Sequence, residues 1–153
     1  MTPQELKDNL LPEFSEEIIE VAGKENEPQL ILKKESLYNV VEHLKSRGYD
    51  YLSYVTAVDN HKDLSVHYRL GSPPGTKAIN IKVSLPKTNP KIESLASLFR
   101  GANWLEREVF DLFGIKFENH PDLRRIILPE DWEGYPLRKT YSHPEIEKRP
   151  GKF

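Results

Sequence analysis

The chain contains no cysteine. That excludes disulfides, thiolate ligation of iron–sulfur clusters and cysteine nucleophiles together, so any redox centre this protein serves must be held by another chain. No hydrophobic run approaches the ~20 residues a membrane span needs, and the opening MTPQELKDNLLPEF has neither the basic nor the apolar region of a secretory signal. The expectation is a soluble, cytoplasmic protein. An excess of either charge is also missing, with 22 Lys/Arg against 24 Asp/Glu. Even the charge-dense stretch 101–153 carries nine basic and ten acidic residues. Nucleic-acid binders usually show a basic patch, so Arg124-Arg125 and Lys148-Arg149 read as ion-pair and hydrogen-bond groups rather than a phosphate track. Glycine is sparse, and its one local cluster, Gly71-Ser72-Pro73-Pro74-Gly75, lacks the lysine and the strand-to-helix context of a phosphate loop.

With 153 residues, 37% of them hydrophobic, the chain can bury one ordinary core. Ile18-Ile19-Glu20-Val21 and Leu30-Ile31-Leu32, separated by a turn-rich Gly23–Pro28, predict a strand pair. Leu37, Val40, Val41 and Leu44 fall at helical spacing, with Ser36 placed to cap the N-terminus and Gly48 the C-terminus. Three alternating stretches follow: 51–58, then Leu64, Val66, Tyr68 and Leu70, then Ile79, Ile81, Val83 and Leu85. Period two means one buried face, and the short connections predict an antiparallel meander. Residues 92–98 and 104–113 read as two helices broken at Gly101. The fold class is therefore α+β, a mostly antiparallel sheet covered by helices on one face, over residues 1–114. Pro121, Pro129, Pro136, Pro144 and Pro150 then leave no room for a helix. Residues 115–141 are expected to form an extended, partner-docking arm and 142–153 a mobile tail.

Charged, aromatic, histidine and proline residues crowd together in 106–139. Glu106, Glu108, Asp111 and His120 could serve as general acid/base groups, but no nucleophile or metal accompanies them. On a helix, Arg107 and Asp111 are four apart, which predicts a local ion pair, with Leu105, Val109 and Leu112 on the opposite face. His61, His67, His120 and His143 have no second ligand at metal-binding spacing. Trp132 and Tyr135 near Arg138 and Lys139 could be a nucleic-acid strip. The acidic Glu130, Asp131 and Glu133 beside them favour a protein interface instead.

The run Glu106-Arg107-Glu108, then Asp111-Leu112-Phe113, His120 and Arg124-Arg125-Ile126-Ile127, closely resembles the signature of the thirty-kilodalton subunit of respiratory complex I, or NADH:quinone oxidoreductase. The block from Leu128 to Lys139 resembles the family's next segment. The resemblance implies a non-redox subunit of the hydrophilic arm of a proton-pumping complex. It would be peripheral, on the cytoplasmic or matrix side of the membrane, touching the membrane only through the complex. It would bind no cofactor and no metal; flavin, iron–sulfur clusters and quinone would sit in partner subunits. The partners implied are the large quinone-pocket subunit and the adjacent cluster-bearing subunit, with no nucleic acid. Carried over by position, the interface would comprise Glu106, Arg107, Glu108, Asp111, His120, Arg124, Arg125, Trp132, Tyr135 and Arg138. Within that set, the two arginines 124 and 125 would pair bidentately with carboxylates or carbonyls, His120 would fix the turn into the arm, and Trp132, Tyr135 and Arg138 would anchor it on the neighbour. The same role in a ferredoxin-, deazaflavin- or hydrogenase-linked membrane complex, and a soluble protein-binding module, stay open as alternatives.

Overall fold

A computed structural model describes residues 2–25, 27–73, 75 and 77–143. The remainder of the expected tail, 144–153, lies outside the described residues. The chain runs α1 (Pro3–Phe14), β1 (Ile18–Lys24), β2 (Glu27–Leu32), a 3-10 turn at Lys34–Ser36, α2 (Leu37–Ser46), β3 (Tyr51–Asp59), β4 (Asp63–Ser72), β5 (Lys77–Pro86), β6 (Lys91–Glu93), α3 (Ala102–Phe113) and β7 (Lys116–Glu118).

The α+β class holds, but the main sheet is mixed. Its order is β1-β2-β5-β4-β3. β3, β4 and β5 form the expected antiparallel meander, and β1 and β2 the expected strand pair. The two units join through a parallel β2–β5 pairing in which Leu30 faces Ile81 and Leu32 faces Val83. One face is deeply buried: Leu30, Leu32, Leu64, Val66, Tyr68, Leu70, Ile79, Ile81 and Val83 form one continuous core with Leu37, Val40, Val41 and Leu44 of α2. Residues pointing the other way, such as Tyr54, Thr56 and Ser84, are exposed.

Three local outcomes differ from the sequence reading. First, Thr2 and Glu5 form a reciprocal capping box, Thr2 Oγ1 accepting the Glu5 N–H at 3.1 Å and Glu5 Oε2 the Thr2 N–H at 2.8 Å, which starts the unanticipated α1. Leu6 and Leu10 then seat α1 in the core. Second, Ser36 makes no side-chain cap, because the preceding 3-10 turn already leads into α2. Gly48 does take the left-handed conformation, with φ of 91°. Third, residues 92–98 are not a helix. Ile92 pairs in parallel with Phe117 in a two-stranded β6–β7 sheet, and both side chains are buried. The turn that follows is fixed from outside, by Glu106 of α3 and by Lys45 of α2, whose Nζ donates to the Leu98 carbonyl.

Candidate subunit interface

α3 is flanked by Gly101 and by Gly114, which holds φ of 69° and donates its N–H to the Phe110 carbonyl at 2.8 Å. Its burial pattern keeps the expected apolar Val109 inside but adds charged residues to the buried face. Glu106, Arg107 and Asp111 are buried beside Val109 and Phe113, whereas Leu105 and Leu112 are half-buried and Glu108 is exposed. The Arg107–Asp111 pair across one turn is not the interaction formed. Arg107 instead gives Nε to the Arg124 carbonyl at 3.1 Å and Nη2 to the Arg125 carbonyl at 3.2 Å. Both side chains turn inward because backbone laid across the helix offers each several charge-assisted hydrogen bonds, more than a single solvent-screened ion pair provides.

Asp111 receives that backbone. Its Oδ2 accepts the N–H groups of Ile126, Ile127 and Leu128 at 3.1, 2.8 and 2.9 Å, and its Oδ1 accepts Arg125 Nη1 at 2.6 Å. Burial alone would push this carboxyl up; the hydrogen bonds from Leu128, Arg125, Ile127 and Ile126 outweigh it and hold the group below the usual carboxylate range. Arg125 spans further, with Nη2 donating to the Trp132 and Gly134 carbonyls at 2.8 and 3.0 Å. Arg138 donates Nε to the Phe113 carbonyl at 2.6 Å and Nη1 to the Lys87 carbonyl at 3.3 Å. The guanidinium groups of Arg125 and Arg138 each lie 5.4 Å from the Tyr135 ring centroid. That ring packs so closely on Gly114 that a Cβ there would sit 2.4 Å from it.

At the other end of α3, Glu106 is fully buried and accepts Ser94 Oγ at 2.6 Å and the Leu95 N–H at 2.7 Å. Burial pushes its carboxyl up to about 7, against the pull of those two hydrogen bonds. His120 lies 3.9 Å away. Its Nδ1 accepts the Asp122 N–H at 3.0 Å, so the ring carries its proton on Nε2 and donates it to the Asn103 carbonyl at 3.0 Å. These two bonds brace the turn at Pro121 against this chain's own helix.

The sequence-predicted residues therefore separate into two groups. Arg107, Asp111, His120, Arg125, Tyr135 and Arg138 bind the segment 120–138 to its own domain, and Glu106 ties α3 to the turn at Ser94 and Leu95. Arg124 and Glu108 are exposed, and Arg124 contributes one bond from Nε to Asp122 at 3.0 Å rather than a bidentate pair. Trp132 stacks on His143 with ring centroids 5.0 Å apart. Asp59, which the sequence pattern did not single out, closes the far end, accepting Lys87 Nζ at 2.6 Å and the Lys139 N–H at 3.0 Å. Its position at a strand end gave no signal of that role. Among the described residues, no group of three or more His, Asp or Glu side chains is placed to hold a metal, and no helix is long and apolar enough to cross a membrane.

Around this framework three large apolar side chains stay at the surface among charged ones. Trp104, Ile127 and Leu137 are 62%, 57% and 50% exposed. The Ile127 N–H is bound by Asp111, the Leu137 N–H by the Leu112 carbonyl, and Trp104 stands over Arg107.

The family described as respiratory-chain NADH dehydrogenase, 30 kDa subunit, matches residues 30–147. The chain belongs to that family. This 30 kDa-type subunit is 38% identical to an NADH-quinone oxidoreductase subunit of Geobacter metallireducens, over 86% of this chain and 85% of that one. It is 41% identical to the Moorella thermoacetica protein of the same name, over 80% and 85% of the two chains. Among solved structures, a trypsin-resistant fragment of Nqo5 superposes with a TM-score of 0.65 at 32% identity, covering 76% of this 30 kDa-type chain and 98% of the fragment. A chain of the membrane-bound sulfane sulfur reductase, an archaeal respiratory membrane complex, superposes with a TM-score of 0.79 over 98% of both chains. At 17% identity that likeness is one of fold.

Proposed function

We propose that this chain is a non-redox structural subunit in the hydrophilic arm of a proton-pumping NADH:quinone oxidoreductase, docked on the large subunit that forms the quinone pocket, next to a cluster-bearing subunit. In that arrangement flavin, clusters and quinone belong to the partner subunits, and the chain is peripheral on the cytoplasmic face of the membrane. The observation that carries the reading is the pairing of an internal polar framework with large apolar side chains left exposed on it. Asp111, Arg125 and Arg138 are committed to this chain's backbone, while Trp104, Ile127 and Leu137 are held outward on the elements they fix. Large exposed apolar side chains on rigid backbone are the usual make-up of a stable interface centre. Family membership and relatives named as subunits of NADH-quinone oxidoreductase support the same reading. Of the ten residues inferred from the sequence, Glu108 and Arg124 meet the partner directly, and the rest shape the surface it meets.

Gentle detergent extraction from the native host, pull-down on a tag on this chain and mass spectrometry test the proposal. Recovery of the large and cluster-bearing subunits is expected. Joint replacement of Trp104, Ile127 and Leu137 by Asp should abolish that recovery while changing the isolated chain's stability by no more than about 1.5 kcal/mol, the sum expected of three exposed sites. A chain that purifies alone overturns the assignment.

A further inference from the structure

We infer that the groove at the start of α3 receives an acidic segment of the partner subunit, one or two Asp or Glu side chains held by arginines. The inference rests on the docking reading above and names the chemistry of its partner. The groove, about 670 Å³, is lined by Arg100, Asn103, Trp104, Arg107, Asp122 and Arg124 among others. Three guanidinium groups against one carboxylate make it locally cationic, a net +2 on a chain whose formal charge is −2.

Two of the three arginines keep donors that this chain does not use. Among the described residues, no hydrogen bond or ion pair engages Arg100. Arg124 is exposed and commits only Nε, to Asp122; among the described residues neither Nη group has a hydrogen-bond partner. Arg107 spends Nε and Nη2 on loop carbonyls and keeps Nη1 4.0 Å from Asp122. Planar guanidinium groups with paired free N–H donors match carboxylates bidentately. Arg107, buried and locked by its carbonyl contacts, adds a fixed positive charge behind the groove rather than a free donor pair.

The occupant is a polypeptide rather than a polyanion such as RNA for two reasons. The groove wall includes Trp104, 62% exposed and stacked over Arg107, and an aromatic beside arginine is the composition of a protein interface centre. The chain as a whole has no positive field with which to steer a polyphosphate. The groove is also continuous with the apolar docking surface, since both include Trp104.

Zero-length carbodiimide cross-linking in the intact complex tests this. The substitutions Arg100→Lys and Arg124→Lys keep the charge and introduce amines that couple only to a touching carboxylate. Lys91, 3.8 Å from Glu118, reports that the reagent has worked. Cross-linked peptides joining position 100 or 124 to an Asp or Glu of the large subunit are expected. Arg100→Glu with Arg124→Glu should lower the amount of chain retained by the complex about tenfold or more at moderate salt. Coupling confined to Asp122 or other groups of this chain, or none at all, in a complex that keeps its full subunit set overturns the inference and spares the docking reading. If the unaltered chain recovers no large subunit, the docking reading fails and takes this inference with it.

Discussion

The carboxylate of Asp111 and the guanidinium of Arg125 meet at 2.6 Å, and each uses its remaining valence on a different stretch of the same backbone. Asp111 holds three consecutive N–H groups from 126–128, and Arg125 holds the carbonyls of Trp132 and Gly134. Between them they satisfy a loop that has no helix or strand of its own, which is how a proline-punctuated segment keeps one shape.

Asp111→Ala should therefore destabilise the chain by about 3–5 kcal/mol, because it removes the carboxylate that faces the largely buried Arg125 and leaves three N–H groups without an acceptor. Urea denaturation measures the loss, and faster tryptic cleavage after Arg124 or Arg125 would locate it. A change below about 1 kcal/mol would mean the loop is held by other contacts. The pH dependence has a definite sign. The folded carboxyl sits below its unfolded value, so its contribution is present above about pH 4 and is lost as pH falls through the folded value.

Glu106 behaves in the opposite sense. Its carboxyl is raised from 4.5 to about 7 in the folded chain, so its favourable contribution is complete below pH 4.5 and declines as pH rises to about 7. The shift corresponds to roughly 3 kcal/mol. Glu106→Gln keeps an oxygen for the Leu95 N–H and cannot ionise. Urea midpoints of the two proteins should converge towards pH 5 and separate in favour of Gln at pH 7.5. Parallel curves across that range would contradict a buried, titrating carboxyl.

Much of the framework was legible in the sequence. Alternation in 64–70 and 79–85 and the helical spacing of Leu37 to Leu44 come from side chains whose burial depends on period alone, and the structure keeps them. The misreadings share a different physics. Ile92 had the neighbours of a helix residue, but its strand partner, Phe117, lies on the far side of α3 in sequence. The parallel β2–β5 pairing is likewise set by how two units dock. In the signature, Arg107 and one oxygen of Asp111 pair with backbone groups, which carry no sequence identity, so their spacing suggested each other. Only the Thr2–Glu5 capping box was a readable local signal that the sequence reading passed over.

Tyr68 offers a test of the core. Its ring is fully buried, and its hydroxyl has no hydrogen-bond partner among the described residues. Burial and the nearby Glu106 carboxyl both push that phenol well above its ordinary value. Removing an unsatisfied buried hydroxyl without changing shape is nearly neutral or stabilising. Tyr68→Phe should shift stability by no more than about 1 kcal/mol in the destabilising direction. A larger loss in calorimetry would reveal a partner for the hydroxyl, such as a buried water.

The contact of Gly114 with Tyr135 makes the last prediction, because one atom probes two separate effects. Alanine at 114 must adopt φ of 69°, costing about 1–2 kcal/mol for an L residue. Its Cβ must also displace the Tyr135 ring, 2.4 Å away, at a further 1–3 kcal/mol or so. The backbone cost is intrinsic to position 114, whereas the steric cost disappears if the ring does. Gly114→Ala combined with Tyr135→Ala should therefore be less destabilising than the sum of the single variants, by about 1–3 kcal/mol in a double-mutant cycle. Strict additivity would show that the ring does not lie against Gly114. The cycle also separates fold from docking: with Tyr135 held between Arg125, Arg138 and Gly114, its loss should register in the isolated chain's melting before any partner is added.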